Sequence, residues 1–336
     1  MLAGERTWRH GSLESLGPRA LLPVADRPLV AHAIEWLTDS TLATTVCTNG
    51  GAQQLRQALR TRPNAGHVAF YDDDSPRGPS GCVADVIAGG SSELIVVVES
   101  TVIPTFDLRR LLRAHAGSGA MATLVVQPQP GGPTEDGPRD IPAGVYVFNR
   151  TAFDYVPKTG YQDIKEGLLR RLYEVGEPVR VYEAREWCPR VIDSRSYLAA
   201  AQWAIRRLAH QRRSAVLADP TARISDSAVL IGPVIIGANA VIMAGASVIG
   251  PASIGSESLV QPHAVVSRSM VWDRCTVGCG ALVDQTVLVD GVTINDGVRV
   301  IETLRARPAP ASKAAPRRIP WRGRISPDVV TVGTTD

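Results

Sequence analysis

From residue 218 onward, an aliphatic residue recurs at every sixth position, with a mostly small residue two positions before it. Neither an α-helix nor an ordinary strand has a period of six. A parallel β-helix has it, because three six-residue faces close one triangular coil, with the aliphatic residue inside and the small one at the corner. The aliphatic series is Ile224, Leu230, Ile236, Ile242, Val248, Ile254, Val260 and Val266, and the small series is Ala222, Ala228, Val234, Ala240, Ala246, Ala252, Ser258 and Ala264. The period slips after Val271 and resumes at Leu288.

The pattern therefore predicts a β-helix domain over residues 216–303. The first 200 residues differ, because short β-branched runs alternate with helical patterns. This alternation predicts an α/β domain at 1–200, with a mostly parallel sheet covered by helices. The predicted strands are Thr44–Thr48, His67–Tyr71, Leu94–Val98, Ala120–Val126, Gly144–Phe148 and Pro178–Tyr182, and the predicted helices include Leu29–Leu37, Gln53–Leu59 and Leu108–His115.

Two further segments complete the predicted organisation. A basic amphipathic pattern over Ser196–Arg213 predicts a helix, so residues 201–215 are assigned to a linker helix. Residues 304–336 are rich in Pro, Ala and Arg and have no apolar periodicity, which predicts a disordered basic tail.

Composition narrows the class of partner. A length of 336 residues is enough for two domains, and a net charge of +3 is too small to indicate a nucleic-acid partner. The five cysteines have no metal-type spacing, and the N-terminus does not resemble a signal peptide, so we expect a reduced, cytoplasmic protein. Residues 228–250 carry no charge and are long enough to span a bilayer, but their six-residue period favours the β-helix over a membrane segment.

Several motifs occur in an order that carries further information. Leu2-Ala3-Gly4 is followed by Arg9, and thirteen residues separate Gly4 from the segment Pro18-Arg19-Ala20-Leu21-Leu22-Pro23-Val24. Downstream come Gly78-Pro79-Ser80-Gly81, the strand Ala143–Phe148 and Lys165. This ordered set over about residues 2–200 resembles the NDP-sugar pyrophosphorylase (sugar nucleotidyltransferase) family, and the trailing repeats resemble its longer members of the GDP-mannose pyrophosphorylase type.

The resemblance implies a Rossmann-like nucleotidyltransferase domain followed by a left-handed parallel β-helix. It also implies a reaction in which a sugar-1-phosphate attacks a nucleoside triphosphate, giving an NDP-sugar and pyrophosphate with Mg²⁺ as cofactor. The roles implied for this chain are catalytic for Arg9 and Arg19, nucleotide binding for Leu2, Ala3, Gly4, Gly78 and Gly81, and sugar-phosphate binding for Gly144 and Lys165.

The chain departs from the family pattern where the chemistry is most demanding. Arg19 replaces the signature lysine, and Thr101 and Arg190 stand where the family has the two aspartates that hold Mg²⁺. Mg²⁺ prefers hard oxygen ligands, which a threonine and an arginine do not replace. Glu99 lies two residues before Thr101 and on the same face of a strand, so it is a candidate substitute metal ligand.

The leading hypothesis is a family member with weakened or lost catalysis that binds a nucleotide sugar or sugar phosphate in a regulatory or scaffold role. The alternative is an active pyrophosphorylase of the mannose-1-phosphate guanylyltransferase type, and a β-helix acyltransferase is a third class. We expect assembly with a second copy or with an active paralogue. The family places several apolar residues before Leu-Ala-Gly, so we also expect an in-frame apolar run upstream of Met1.

Overall fold

The computed structural model describes residues 1–4, 18–40, 42–60, 68–73, 77–128 and 140–305. The chain divides into two compact units. Among the described residues, the N-terminal unit comprises 1–4, 18–22 and 27–191, and the C-terminal unit comprises 23–26 and 192–305.

Two short strands, β1 (Pro23–Val24) and β2 (Arg27–Pro28), come first in the chain. Strand β1 belongs to the C-terminal unit and β2 to the N-terminal unit. The strands of the N-terminal unit that follow β2 are β3 (Thr44–Thr48), β4 (Val68–Asp72), β5 (Leu94–Val98), β6 (Ala122–Pro128), β7 (Asp140–Asn149) and β8 (Val179–Glu183). Its helices are α1 (Leu29–Thr38), α2 (Ala52–Leu59), α3 (Pro79–Ile87), α4 (Leu108–Ser118) and α5 (Arg170–Glu174), with 3₁₀ turns at Arg19–Leu21 and Arg150–Tyr155 and a π-helical turn at Ile164–Leu169.

The first three residues occupy the centre of the sheet. Leu2 pairs in parallel with Cys47 of β3 on one side and with Glu99, just after β5, on the other. The Leu2 N–H donates to the Val98 carbonyl at 2.8 Å, and the Ala3 N–H donates to the Cys47 carbonyl at 2.8 Å. The order across the unit is therefore β4, β3, the segment Met1–Ala3, β5, β7, β6 and β8.

Strand β7 is the exception to the parallel pattern. It runs antiparallel to both β5 and β6, whereas β3 with β4 and β6 with β8 are parallel. The prediction of a mostly parallel α/β sheet is confirmed. The hydrophobic pattern did not reveal the reversed direction of β7, because a buried strand has the same apolar run in either direction.

Local chemistry explains why the helices lie where the periodicity predicted them. Helix α1 buries Leu29, Val30, Ala33, Ile34 and Leu37, which lie on one face because residues three and four apart are neighbours on a helix. The Asp107 carboxylate caps α4 by accepting from the Arg109 and Arg110 N–H groups. These helices cover the sheet and close the core of the unit.

The C-terminal unit begins with a helix and continues as a solenoid. Helix α6 (Ser194–Arg212) starts at a capping box formed by Asp193 and Ser196. The strands that follow are β9 (Val216–Ala218), β10 (Arg223–Ile224), β11 (Val229–Ile231), β12 (Val234–Ile236), β13 (Val241–Ile242), β14 (Ser247–Ile249), β15 (Ala252–Ile254), β16 (Leu259–Val260), β17 (Val265–Ser267), β18 (Met270–Val271), β19 (Thr276–Val277), β20 (Leu282–Asp284), β21 (Val287–Leu288), β22 (Thr293–Ile294), β23 (Arg299–Ile301) and β24 (Leu304–Arg305).

These strands form three parallel sheets, in the orders β10-β13-β16-β19-β22, β11-β14-β17-β20-β23 and β24-β21-β18-β15-β12-β9. The predicted aliphatic residues from Ile236 to Val266 lie together in one core with the small residues Ala240, Ala246, Ala252 and Ala264. Ser258 of the same series is also buried. The predicted fold class, an α/β nucleotidyltransferase-like domain followed by a left-handed parallel β-helix, is confirmed.

The slip in the six-residue period begins before Val271 rather than after it, and it has a structural cause. The first coils pair residues eighteen apart, as in Val234 with Ala252, whereas later coils pair residues seventeen apart, as in Met270 with Val287. The missing residue comes from one corner. Gly250-Pro251-Ala252 in an early coil is replaced by Arg268-Ser269 in the next.

A hydroxyl side chain stabilises each shortened corner. Ser269, Thr286 and Thr303 lie seventeen residues apart, and each hydroxyl donates to the carbonyl two residues before it at 2.6 to 2.8 Å. The residue before each hydroxyl has a positive φ. The two-residue corner is therefore a repeated element, and it replaces the glycine-proline corner of the earlier coils.

The predicted tail falls almost entirely on residues outside the described part of the chain, although Leu304–Arg305 forms β24. Residues 228–250, which are long enough for a membrane span, form strands β11 to β14 of the solenoid instead. Among the described helices, none combines the length and apolarity that crossing a bilayer requires.

The small corner residues provide a test of the packing. Replacing the fully buried Ala246 by Leu should lower the free energy of unfolding by about 1–3 kcal/mol, because the core has no room for the larger side chain. Urea unfolding followed by circular dichroism measures the change. Ala244→Leu, at an exposed position of the same coil, is the matched control. Equal effects of the two substitutions would contradict the proposed packing.

Candidate functional site

The candidate site lies where the parallel strands of the N-terminal unit end. The segment Met1–Ala3 has β3 on one side and β5 on the other, so the strand order changes direction at this point. Open α/β sheets bind ligands at such a switch point, outside the carboxyl ends of the strands. Gly4 directly follows the segment Met1–Ala3, and Glu99 directly follows β5. Both residues therefore lie at this edge of the sheet.

Backbone pairing leaves Gly4 as the first residue free of the sheet. The Leu2 and Ala3 N–H groups, both predicted to bind a nucleotide, donate instead to carbonyls of the neighbouring strands. Gly4 is exposed, and a Cβ atom added to it would lie 3.3 Å from Oδ1 of Asn49. Leu2 and Ala3 therefore position Gly4 against the turn that follows β3.

The turn after β3 is held by Asp72, a residue that the sequence analysis did not identify. Oδ1 of Asp72 accepts from the Gly50 N–H at 2.6 Å and from the Thr48 hydroxyl at 2.7 Å. These hydrogen bonds, with that from Gly50 as the larger cause, lower the pKa of Asp72. The carboxylate at the end of β4 thus fixes the turn at the end of the neighbouring strand β3.

Two predicted binding segments that are distant in sequence pack together. Gly78 has a φ of +85°, and a Cβ atom there would lie 2.7 Å from the Gln162 carbonyl oxygen. The Ser80 N–H donates to that oxygen at 3.0 Å, and the Ser80 hydroxyl donates to the Asp163 carbonyl at 3.0 Å. The Gly78–Gly81 segment, which begins α3 rather than forming a loop, therefore lies against the chain that leads into Lys165. Gly78 is required by both its conformation and its contact.

Lys165 lies in the π-helical turn Ile164–Leu169. The Asp163 carboxylate caps this turn by accepting from the Lys165 N–H at 2.7 Å. The Lys165 side chain is half-buried. The predicted nucleotide loop and the predicted sugar-phosphate lysine thus belong to one packed region.

At the end of β5, Glu99 is engaged by two side chains. Its Oε2 forms an ion pair with Nη2 of Arg190, and its Oε1 accepts from the Tyr146 hydroxyl at 3.2 Å. The Glu99 and Arg190 side chains are 14% and 21% exposed. Burial, followed by the negative charge of Glu99, raises the pKa of Tyr146, so its hydroxyl remains a donor at neutral pH.

Backbone pairing fixes the position of Arg190. Val102 and Arg190 form an antiparallel bridge, the Ile103 N–H donates to the Pro189 carbonyl, and the Val191 N–H donates to the Thr101 carbonyl, both at 2.8 Å. This pairing brings the arginine to the end of β5 from a segment ninety-one residues away from Glu99.

Gly144 supports the same cluster. Its carbonyl accepts from the Glu99 N–H at 2.9 Å, and its φ is +76°. A Cβ atom at this position would lie 2.7 Å from Cγ2 of Val102 and 3.3 Å from Cδ of Glu99. The structure therefore gives Gly144 a packing role beside Glu99, in addition to the sugar-phosphate contact expected from the sequence.

The residues present do not fit Mg²⁺. The two positions that the resemblance assigns to metal aspartates are occupied by Thr101 and Arg190, and the carboxylate of Glu99 is paired with the Arg190 guanidinium. Within the described ranges, no group of three His, Cys, Asp or Glu side chains could hold a metal ion. A guanidinium beside the single carboxylate opposes a divalent cation by charge and leaves it too few oxygen ligands.

Of the two arginines predicted to be catalytic, Arg19 lies among the described residues. Arg9 lies outside the described residues. Arg19 lies in the 3₁₀ turn Arg19–Leu21 and is half-buried. Among the described residues, the candidate site therefore comprises Gly4, the Gly78–Gly81 segment at the start of α3, Lys165 and the cluster around Glu99.

Comparison with known proteins gives relatives for both parts of the chain. Residues 213–306 match the family model described as the GMPPB C-terminal domain. The bifunctional protein GlmU of Exiguobacterium sibiricum is 24% identical over 80% of this chain and 66% of its own length, so the chain spans slightly less than two thirds of that relative.

Two further relatives are mannose-1-phosphate guanylyltransferases. A mannose-1-phosphate guanylyltransferase of Mycobacterium tuberculosis is 23% identical over 73% of this chain and 76% of its own length. The mannose-1-phosphate guanylyltransferase catalytic subunit beta of Drosophila melanogaster is 26% identical over 41% of this chain and 44% of its own length.

A solved structure shares the fold. A Bacillus anthracis protein assigned as a glucose-1-phosphate thymidylyltransferase, in complex with a sucrose, superposes with a TM-score of 0.52 and 16% identity. The match covers 60% of this chain and 93% of that chain. At this level of identity the comparison supports the fold alone.

The packing role of Gly144 is testable with a matched glycine. Gly176 has a similar φ of +81°, but a Cβ atom there would meet nothing within 4 Å. Both Gly144→Ala and Gly176→Ala should show the left-handed strain of about 1–2 kcal/mol. Gly144→Ala should lose on the order of 1–3 kcal/mol more, from overlap with Val102 and Glu99. Urea denaturation measures both, and indistinguishable losses would contradict the packing role.

Proposed function

We propose, starting from the relationship of this chain to the NDP-sugar pyrophosphorylases with a C-terminal β-helix, that it binds a nucleotide sugar or sugar phosphate with weakened or lost catalysis. Its role would then be regulatory or that of a scaffold. The observation that carries this proposal is the Glu99–Arg190 ion pair at the end of β5.

The reaction of the family explains why that ion pair matters. Attack of a sugar phosphate on the α-phosphate of a nucleotide requires positioning and positive charge on the phosphates. In enzymes of this class a metal ion supplies much of that charge and holds the reacting oxygens in line. Here the Glu99 carboxylate, which lies near the expected metal position, is paired with Arg190. Its negative charge is therefore already balanced and does not attract Mg²⁺.

The parts of the site that would hold a ligand have defined backbone positions. Gly4 is exposed at the switch point, and the Gly78–Gly81 segment at the start of α3 packs against the Gln162–Asp163 backbone. A ligand can be bound by backbone that approaches it closely and by a lysine near its phosphate. Neither feature requires that the bound ligand react. The proposal of binding without catalysis is therefore supported by these packed segments together with the pairing of Glu99 with Arg190.

One observation favours the alternative of an active pyrophosphorylase. The similarity to GlmU and to the Mycobacterium tuberculosis mannose-1-phosphate guanylyltransferase extends over 80% and 73% of this chain. In that case Glu99 would have to leave Arg190 and serve as a metal ligand. We favour binding because this change would leave the guanidinium half-buried without its partner.

We expect little pyrophosphate release when the purified chain is incubated with Mg²⁺, each nucleoside triphosphate and hexose-1-phosphates. The physical reason is that Thr101 and Arg190 do not hold the metal. An enzyme-coupled pyrophosphate assay measures the rate, with the Mycobacterium tuberculosis relative as the positive control. Turnover comparable to that relative would overturn the proposal, and Glu99→Gln should then abolish the activity.

The β-helix supports a proposal about assembly, namely a homo-oligomer or a complex with an active paralogue, in the cytoplasm. In the described solenoid, strands at either end of each sheet, such as β11 and β23, have a hydrogen-bonded neighbour on one side. Solenoids usually cap or bury such edges. At this edge Val229 and Ile231 are 46% and 53% exposed, which adds apolar surface for a partner.

Light scattering should therefore show a species larger than the monomer at micromolar concentration. Ile231→Lys should shift the distribution toward monomer, because it places a charge on the exposed edge. Met243→Lys, at a partly exposed position within the solenoid, serves as the control. A monomer at every concentration, with no partner recovered by pull-down, would contradict the proposal.

A further inference from the structure

Arg190 has hydrogen-bonding capacity that the described residues do not use. Its Nη2 pairs with Glu99, and its Nη1 donates to the Pro142 carbonyl at a long 3.4 Å. Its Nε atom is buried with no hydrogen-bond partner in the described part of the chain. A guanidinium presents five N–H donors in a fixed planar fork, so Arg190 retains donors for an acceptor that the described residues do not supply.

The guanidinium is also held in a defined orientation. Glu99 anchors it through one oxygen, while the other oxygen of Glu99 accepts from the buried Tyr146 hydroxyl at 3.2 Å. The backbone on both sides of Arg190 is tied to residues 101–103. A side chain fixed in this way loses little conformational entropy on binding a ligand, which is the usual benefit of preorganisation.

Its location indicates what kind of acceptor it would meet. Arg190 reaches the end of β5 beside the switch point at which α/β sheets bind their ligands. Its planar fork matches two oxygens of a phosphate better than an ammonium group does. Because Glu99 already balances its charge, the interaction depends on directed hydrogen bonds more than on net charge.

We propose that Arg190 is an anion-binding residue that contacts the phosphate groups of a nucleotide sugar at the position where the family holds Mg²⁺, so that binding does not need Mg²⁺. This inference rests on the proposed nucleotide-sugar binding. Glu99 acts in it as a positioning residue for the guanidinium, and Tyr146 orients Glu99.

The test is isothermal titration of the full chain with GDP-mannose, UDP-N-acetylglucosamine and dTDP-glucose, each in excess MgCl₂ and in excess EDTA. The same titrations use Arg190→Met, which removes the charge and the donors, and Arg190→Lys, which keeps the charge without the fork. Arg180→Met, at an exposed position of β8, is the matched control. Thermal melts establish which variants are folded, and Arg190→Lys carries the test if Arg190→Met does not fold.

We expect at least one nucleotide sugar to bind with an affinity that changes less than about twofold between MgCl₂ and EDTA. Loss of hydrogen bonds between a charged donor and the ligand should weaken binding about tenfold or more in Arg190→Met, and by a smaller factor in Arg190→Lys. Arg180→Met should bind as the unmodified chain does.

Two outcomes would overturn the inference while the proposed function stands, namely nucleotide-sugar binding that requires Mg²⁺ and binding that is unaffected in the folded Arg190 variants. If none of the three nucleotide sugars binds under either condition, the proposed function fails and the inference fails with it. The three results are distinguishable because each concerns a different comparison within one set of titrations.

Discussion

The Glu99–Arg190 ion pair is the interaction on which the proposed loss of metal binding depends. Its two side chains are 14% and 21% exposed, so neither charge is fully solvated without the other. Breaking a fully buried pair costs about 3–5 kcal/mol, and the partial exposure here reduces that cost. The pair is therefore an energetic barrier against any rearrangement that would free Glu99 for a metal ion.

The fold places the pair at the edge of the sheet where the segment Met1–Ala3 and β5 end. The segment Met1–Ala3 creates the switch point, β5 delivers Glu99 to it, and β7 delivers Tyr146 and Gly144 from the antiparallel side. The same geometry explains the glycine at 144, since a Cβ atom there would collide with Val102. The Glu99–Arg190 pair and the packing of Gly144 beside it are thus consequences of the same strand arrangement.

Much of the fold could be predicted because it depends on local periodicity. The six-residue period identifies the solenoid directly, since each inward residue such as Val248 or Val260 follows from its neighbours in sequence. The shortened coils were harder to predict, because a serine such as Ser269, which forms the shortened corner, resembles any polar loop residue in the sequence. The antiparallel direction of β7 could not be predicted either, since the apolar run of a buried strand is the same whichever way the strand runs.

The candidate site was predictable only in part. Ordered motifs located Gly78 and Lys165, and the contacts of Ser80 bring their segments together. The partner of Glu99 was not apparent, because a pair separated by ninety-one residues leaves no local pattern. Asp72 was missed because its function is to hold a backbone turn, which any acidic residue at a strand end could do.

The most direct test of the central claim is whether the Glu99–Arg190 cluster binds a divalent cation. Electron paramagnetic resonance can follow the free Mn²⁺ signal, with Mn²⁺ as a probe for Mg²⁺, while the full chain or Glu99→Gln is added. We expect the free Mn²⁺ signal to be the same with either protein, because Glu99 is occupied by Arg190. A stoichiometric loss of free Mn²⁺ with the unmodified chain that disappears in Glu99→Gln would contradict the claim.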